Sequence, residues 1–354
     1  MEDGTSADGA SPAMPPEPNN AGLDARQMWQ HLQKHTGEWH GIRSVCAASG
    51  RVLVEVGTFV EVVPESTSAG GSSRSQLVWT TWVQEDTTSS PAVATVRLPT
   101  NRKSSGAAAA RVDRVGANKS ETWSSADVED LGVVFEDGSF SLGPAEAGST
   151  AGEQFLLQHG ILQGEMGMRV RVIHAFDYER RLVGITICRE RTRMNVAPAG
   201  SISPAAWRSP IALIKFTFGR WEGSGVMADE RSGRLLRIQS VWELRLERFG
   251  EVELTSSLQV GAQNGDREES RAASTTVRGR EDENVLMFPS TASHMVALSG
   301  GILVSQPLQM FRGTRAAIEL FFLVRPGYRR RLIRFYNAEL DWTSTAYLTE
   351  RMVG

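Results

Sequence analysis

The chain has 354 residues, 40% of them hydrophobic and 22% charged, a globular composition with room for two domains of ordinary size. A formal charge of −3 argues against a general nucleic-acid or membrane-surface binder, and no run of about 18 apolar residues offers a membrane span. Two cysteines exclude a disulfide scaffold and suggest a reducing compartment.

Residues 1–25 are acidic and rich in Pro, Gly and Ser, and read as a disordered tail. This tail lacks the apolar centre of a secretory signal and the arginines of a transit peptide. The expectation is a protein that is not imported, or one whose targeting segment is missing from the sequence. Asp24 then caps a short helix, with Gln27 three residues on, an apolar stripe of Ala25, Met28, Trp29 and Leu32, and Gly37 as its stop.

Beyond Gly37 the period is two. Val52, Val54 and Val56 alternate with Leu53, Glu55 and Gly57, and residues 77–83 (LVWTTWV) form a dense strand. Met166, Met168, Val170 and Val172 alternate with Gly167, Arg169, Arg171 and Ile173. The clearest strand has Leu236, Ile238, Ser240, Trp242, Leu244 and Leu246 on one face and Arg237, Gln239, Val241, Glu243, Arg245 and Glu247 on the other. Val252 to Thr255 and Ala316 to Val324 continue the pattern. Stretches 64–75, 99–120 and 262–283, rich in Ser, Gly, Ala and isolated charges, are expected to be unstructured. A proline-bearing link, Thr192 to Pro210, divides the chain into a first module at 26–195, a linker at 196–207 and a second module at 208–354.

The modules repeat one another. Gly37, Trp39 and Gly41 spell G-x-W-x-G, as do Gly219, Trp221 and Gly223. Arg171 to Arg191 lies without a gap on Arg331 to Arg351, sharing Arg171/Arg331, Ile173/Ile333, Glu179/Glu339, Glu190/Glu350 and Arg191/Arg351. Many short strands in a repeated unit predict an all-β protein of two tandem antiparallel barrels, closed so that no edge is left unpaired. Closure makes the first strand, starting at Trp39 or Trp221, pair with the last, ending near Arg191 or Arg351. The tryptophan then plugs the barrel floor, and an arginine from the last strand lies over the indole. With Trp39 opposite Arg191, Cys46 falls opposite Gly184 and ~13 Å from Cys188, beyond the about 7 Å that a disulfide spans.

Catalytic motifs of the Walker, H-E-x-x-H, C-x-x-C and G-x-S-x-G types do not occur. Residues 223–228 (GSGVMA) fit G-x-G-x-x-A, but a strand-like region follows them where a dinucleotide site needs a helix. His31 and His35 share a helix face with His40 close behind, a spacing that suits a metal but more often marks solvent-facing histidines. His174 and His294 read as barrel-wall histidines. No catalytic, cofactor or metal residue is therefore assigned, and no enzyme activity is expected. Arg325, Tyr328, Arg329, Arg330, Arg331 and Arg334 follow the turn signal Pro326-Gly327. They read as a hairpin-tip patch for an acidic partner, or as solvated charges that block edge pairing. If Leu236, Ile238, Trp242, Leu244 and Leu246, with Ile318, Leu320, Phe322 and Val324, all point inward, the second barrel is packed solid. Smaller residues in the first module (Thr58, Thr80, Thr81, Gly184, Thr186) make it the better place for a pocket.

The G-x-W opening and the arginine closing the last strand resemble the calycins. More narrowly, residues 216–224 (FTFGRWEGS), 329–336 (RRRLIRFY) and 343–351 (TSTAYLTER) resemble the two-barrel DUF3598 family, whose plant branch serves chloroplast ATP synthase biogenesis. That resemblance implies two lipocalin-like barrels and an assembly factor for the F1 head, engaging its beta and gamma subunits in the chloroplast stroma. The alternative is a lipocalin-type binder of a small hydrophobic or tetrapyrrole ligand, related to the chromophore lyases.

Overall fold

The computed structural model describes residues 24–69, 72–84, 119–124, 128, 132–147, 154–192, 209–230, 232–261 and 272–353. The expected tail, the linker at 196–207 and most of the insertion at 99–120 lie outside the described residues.

Helix α1 (Ala25–Leu32) starts where Asp24 accepts a hydrogen bond from the Arg26 amide, and it buries Met28, Trp29 and Leu32. The chain then runs through β1 (Gly37–Ala47), β2 (Val52–Ala69), β3 (Ser72–Gln84), β4 (Lys119–Ser124), β5 (Gly132–Val134), β6 (Phe140–Leu142), β7 (Phe155–Gln163), β8 (Met168–Phe176) and β9 (Leu182–Thr192). These form one nine-stranded antiparallel sheet in the order β4-β3-β2-β1-β9-β8-β7-β6-β5. First and last strands pair as closure demands, with Trp39 opposite Thr192, one residue along from the expected register. Among the described residues β4 and β5 are the two ends of the sheet, which forms a half-barrel.

A second helix, α2 (Pro210–Lys215), precedes the second module. Ser209 caps it and Pro210 opens it. Ten strands follow: β10 (Gly219–Asp229), β11 (Arg234–Leu246), β12 (Glu251–Val260), β13 (Ala272–Asp282), β14 (Val285–Phe288), β15 (Ser293–Leu298), β16 (Ile302–Pro307), β17 (Ala316–Arg325), β18 (Tyr328–Tyr336) and β19 (Trp342–Val353). They close into a barrel in chain order, β10 pairing with both β11 and β19. Two expected loops are strand. Residues 64–69 and 72–75 extend the β2–β3 ribbon, and 272–282 form β13 along β12. Runs such as Ser274-Thr275-Thr276-Val277 are polar yet β-branched, and a long partner strand satisfies their backbone.

The G-x-W-x-G motif has a geometric cause in each module. Gly37 and Gly219 have φ of +114° and +113°, which only glycine adopts without strain. The second glycine answers a close approach: a Cβ on Gly41 would sit 2.0 Å from the Arg189 carbonyl oxygen, and one on Gly223 would sit 2.2 Å from that of Thr349.

Each module has an inner core capped by its helix. Met28, Trp29 and Leu32 join Trp39, Val60, Val62, Leu77 and Trp79 in the first. Leu213 and Ile214 join Trp221, Trp242, Leu244, Phe321 and Leu323 in the second. A third core lies between the modules, where Val170, Val172, Ile185 and Ile187 meet Ile302, Val304, Ile318, Leu320 and Phe322. The apolar faces of β8 and β17 therefore point outward, and their barrels' interiors receive the opposite faces. The expectation that Ile318, Leu320, Phe322 and Val324 fill the second barrel is corrected. A wall covered by a second module is buried on both sides, so alternation marks two faces without saying which is inside.

Candidate functional site

The opposite face of β18 carries arginines into the second barrel. Arg329 lies with Cζ 4.2 Å from the ring centroids of both Trp221 and Trp242, and its Nε donates to Glu350 Oε2 at 2.6 Å. Trp221 is fixed by its Nε1, which donates to the Thr217 carbonyl at 3.1 Å. Arg331 donates to Glu319 Oε2 at 2.8 Å, to Glu350 Oε1 at 3.3 Å and to Ser240 Oγ at 3.4 Å, while Ser240 donates to Glu350 Oε1 at 2.8 Å. Burial pushes the Glu350 carboxyl up, but Arg329, Arg331 and the Ser240 bond outweigh it and hold it below the usual carboxylate range. Burial lowers the Arg329 guanidinium to about 10, which leaves it charged at neutral pH. This layer is a charge-balanced polar network of two guanidiniums, two carboxylates and a hydroxyl on an aromatic floor, with Arg329 Nη2 buried without a described hydrogen-bond partner.

The first module repeats the layer. Arg169 on β8 sits 4.2 Å from the Trp39 ring and 4.6 Å from Trp79, and pairs with buried Glu190. Arg171 donates to Glu190 at 2.7 Å and 3.1 Å. Trp39 Nε1 donates to the His35 carbonyl at 2.8 Å. Burial alone would raise the Glu190 carboxyl; Arg169 and Arg171 bring it down to about 2.

In both modules the arginine over the indole comes from the last strand but one, not from the last strand. Glu190 and Glu350 point inward, so their neighbours Arg191 and Arg351 point away from the core by alternation; Arg351 is exposed. The aligned pairs Arg171/Arg331 and Glu190/Glu350 already held this signal.

The same alternation divides the arginine run. Arg325 is exposed at the turn, Cζ 5.3 Å from the half-buried Tyr328 ring. Arg329 and Arg331 lie inside the barrel, and Arg330 and Arg334 reach the first module. Arg330 donates to Asp137 Oδ2, the Leu162 carbonyl and Tyr347 Oη at 2.8–2.9 Å. Arg334 is fully buried, 4.2 Å from the Trp342 ring, and donates to the carbonyls of Gly143 at 3.1 Å and Pro144 at 3.2 Å. Of the six residues, Arg325 and Tyr328 remain at the hairpin tip.

The other candidates have structural places. His35 is buried, its Nε2 2.8 Å from the Gly138 carbonyl, where a solvent-facing position was expected. His159, His174 and His294 are buried between the modules. Cys46 and Cys188 are free, and Cys46 lies opposite Ile185. Gly223 and Gly225 lie in β10, where a Cβ on Gly225 would come within 1.9 Å of the Tyr347 carbonyl oxygen, so the G-x-G spacing serves strand packing. Among the described residues a small cleft inside the first module, about 20 Å³, is lined by Arg43, Thr58, Thr81, Arg171, Ile173, Cys188 and Glu190.

Residues 25–195 match the family model described as Domain of unknown function (DUF3598), N-terminal, and residues 209–353 match Biogenesis factor required for ATP synthase 1, C-terminal domain. A solved DUF3598 protein of unknown function from Nostoc punctiforme is similar at 19% identity, covering 92% of this chain and 99% of its own, with a TM-score of 0.65. An S-type phycobiliprotein lyase from Guillardia theta aligns at 16% identity over 41% of this chain and 93% of its own, with a TM-score of 0.31. A comparison with curated proteins gives no match. With both halves matched by the paired family models and the two-module fold shared over nearly the whole chain, this is a DUF3598/BFA1-like protein of the calycin type.

Proposed function

We propose that this chain is a non-enzymatic assembly factor in ATP synthase biogenesis, which holds subunits of the F1 head through the outer surfaces of its barrels. The observation that carries the reading is the match of residues 209–353 to the C-terminal domain of a biogenesis factor required for ATP synthase. The internal chemistry agrees with it. The second barrel is filled by the core around Trp221, Trp242 and Phe321 and by the Arg329–Glu350–Arg331–Glu319 network. Contacts with a partner then fall on outer walls and turns, including the Arg325–Tyr328 tip. Reversible holding calls for a moderate, partly polar contact. The beta and gamma subunits are the proposed partners and the chloroplast stroma the proposed compartment. A carrier of a hydrophobic or tetrapyrrole ligand would need a roomy apolar hollow, and the cleft in the first module has about 20 Å³ of free space with Arg43, Arg171 and Glu190 in its lining.

Pull-down with purified F1 beta and gamma subunits tests the reading. Association that weakens as salt rises is expected, with Arg325→Ala lowering it; no association at low and moderate salt would overturn the proposal.

A further inference from the structure

The two modules differ at one level, just above their tryptophan floors. In the second barrel, Ser240 lies opposite Gly223 and is bonded to Glu350 and Arg331. Its counterpart in the first module is Thr58, opposite Gly41. Thr58 is 6% exposed, and its Oγ1 is buried with no hydrogen bond to any described residue. Glu319 lies opposite Ile333; the residue opposite Ile173 is Gln158, an amide in place of a carboxylate. Gly225 lies opposite Leu348; the residue opposite Cys188 is Arg43, a guanidinium in place of a hydrogen atom. The Nε of Arg43 is likewise buried without a described partner.

The charge inventory follows. The second barrel sets Arg329 and Arg331 against Glu319 and Glu350. Among the described side chains, the first sets Arg43, Arg169 and Arg171 beside the single carboxylate Glu190, with His35 held neutral because burial lowers it to about 3. Arg169 and Arg171 are buried and Arg43 half-buried, and positive charge taken out of water has to be compensated. Arg43 Nε and Thr58 Oγ1, buried without a described hydrogen-bond partner, and Arg171, bidentate to Glu190, converge on the cleft in the first module.

The geometry points to an oxyanion site inside the first module that takes the carboxylate head of a small organic acid between Arg43, Arg171 and Thr58. A planar guanidinium matches a carboxylate through paired N–H donors. The free space, about 20 Å³, holds roughly one or two waters, so the head group displaces them and any tail runs toward the cleft mouth. In the second barrel Glu319 supplies that negative charge from the protein itself. The inference does not depend on the subunit-binding reading, and it is tested on purified protein alone.

Propanoate is titrated calorimetrically into the full chain at low salt, with propan-1-ol as the uncharged control. Saturable, one-to-one binding of propanoate is expected, at least tenfold tighter than any binding of the alcohol. Two variants act from opposite directions. Arg43→Gln removes a donor and weakens binding at least tenfold. Gln158→Glu installs the carboxylate that the second barrel already has; it also weakens binding at least tenfold, while raising the melting temperature of the ligand-free protein. Equal binding of the alcohol, no saturable heat with propanoate, or an affinity within twofold of the parent in both folded variants would overturn the site.

Discussion

The inner layers of the two modules are built to one plan and completed differently. Each puts an arginine between two tryptophan rings, a second arginine two residues on, and a buried glutamate across from both. In the second barrel an added carboxylate, Glu319, balances the charge, and an added hydroxyl, Ser240, bonds the shared glutamate. In the first module those places hold Gln158 and Thr58, and Arg43 adds charge. The difference separates what the repeat needs in order to fold from what one copy is free to use. The indole–guanidinium–carboxylate stack is common to both and is structural; the added guanidinium, Arg43, is particular to the first.

The largest test removes the shared carboxylate. Taking one partner from a buried ion pair costs about 3–5 kcal/mol, because the other charge stays buried and unpaired. Glu190→Gln removes the carboxylate that holds Arg169 and Arg171, the single one in the layer among the described side chains, whereas after Glu350→Gln Glu319 still holds Arg331 at 2.6 Å. Urea unfolding should therefore show the greater loss for Glu190→Gln. The reverse order would mean that the layers do not differ in charge balance. Next come the floors. Trp39→Ala and Trp221→Ala should each cost about 3–5 kcal/mol as large-to-small core changes. The two losses should be similar, since both rings lie 4.2 Å from an arginine and both indole N–H groups are bonded to a carbonyl.

Much of this frame was legible in the chain. The doubled G-x-W-x-G, the gapless pairing of Arg171–Arg191 with Arg331–Arg351 and the period-two strands together give tandem antiparallel modules whose first and last strands meet. Sidedness was not legible. Val170 and Val172 on β8, like Ile318 and Leu320 on β17, form apolar stripes of the kind that usually face a barrel's interior, yet they face the other module. The arginines that look like surface charge, Arg169, Arg329 and Arg331, are inside because aromatic faces and glutamates await them. A run such as Arg329 to Arg334 carries no mark of which of its members meet solvent. That depends on partners about twenty residues away in Glu350 or in another module at Asp137 and Gly143.

The interface between modules gathers several histidines and so adds an acid response to that of His35 in the first module's inner layer. His159 and His174 from the first module meet at 5.7 Å between ring centroids, facing Arg334, Gln306 and His294 of the second. Burial lowers all three histidines, with His174 brought to about 4, and the charges nearby add to it for His159 and His174. Their folded pKa values lie below the unfolded value, so the unfolded chain takes up protons first. Stability is complete above about pH 6.5 and is lost as pH falls toward about 4, by about 1.4 kcal/mol per pH unit for each histidine. Glu190, held at about 2, contributes its own loss only below the ordinary carboxylate range, at about 4.5 and under. Stability measured from pH 7 to 5 should thus fall, and His174→Gln should flatten the slope. A slope unchanged by that substitution would place the titration elsewhere.

The smallest effect is the most direct reading of the contrast. Ser240→Ala takes a hydrogen bond from a buried carboxylate, which costs about 1.5–3 kcal/mol. Thr58→Val, at the matching place, keeps shape and removes a hydroxyl that has no described partner, so folding should change by no more than about 0.5 kcal/mol and could gain, because a buried unsatisfied group is removed. Paired urea titrations of the two variants measure this. A clear loss on Thr58→Val in ligand-free protein would show that Thr58 is already engaged, and the first module's layer would then be as complete as the second's.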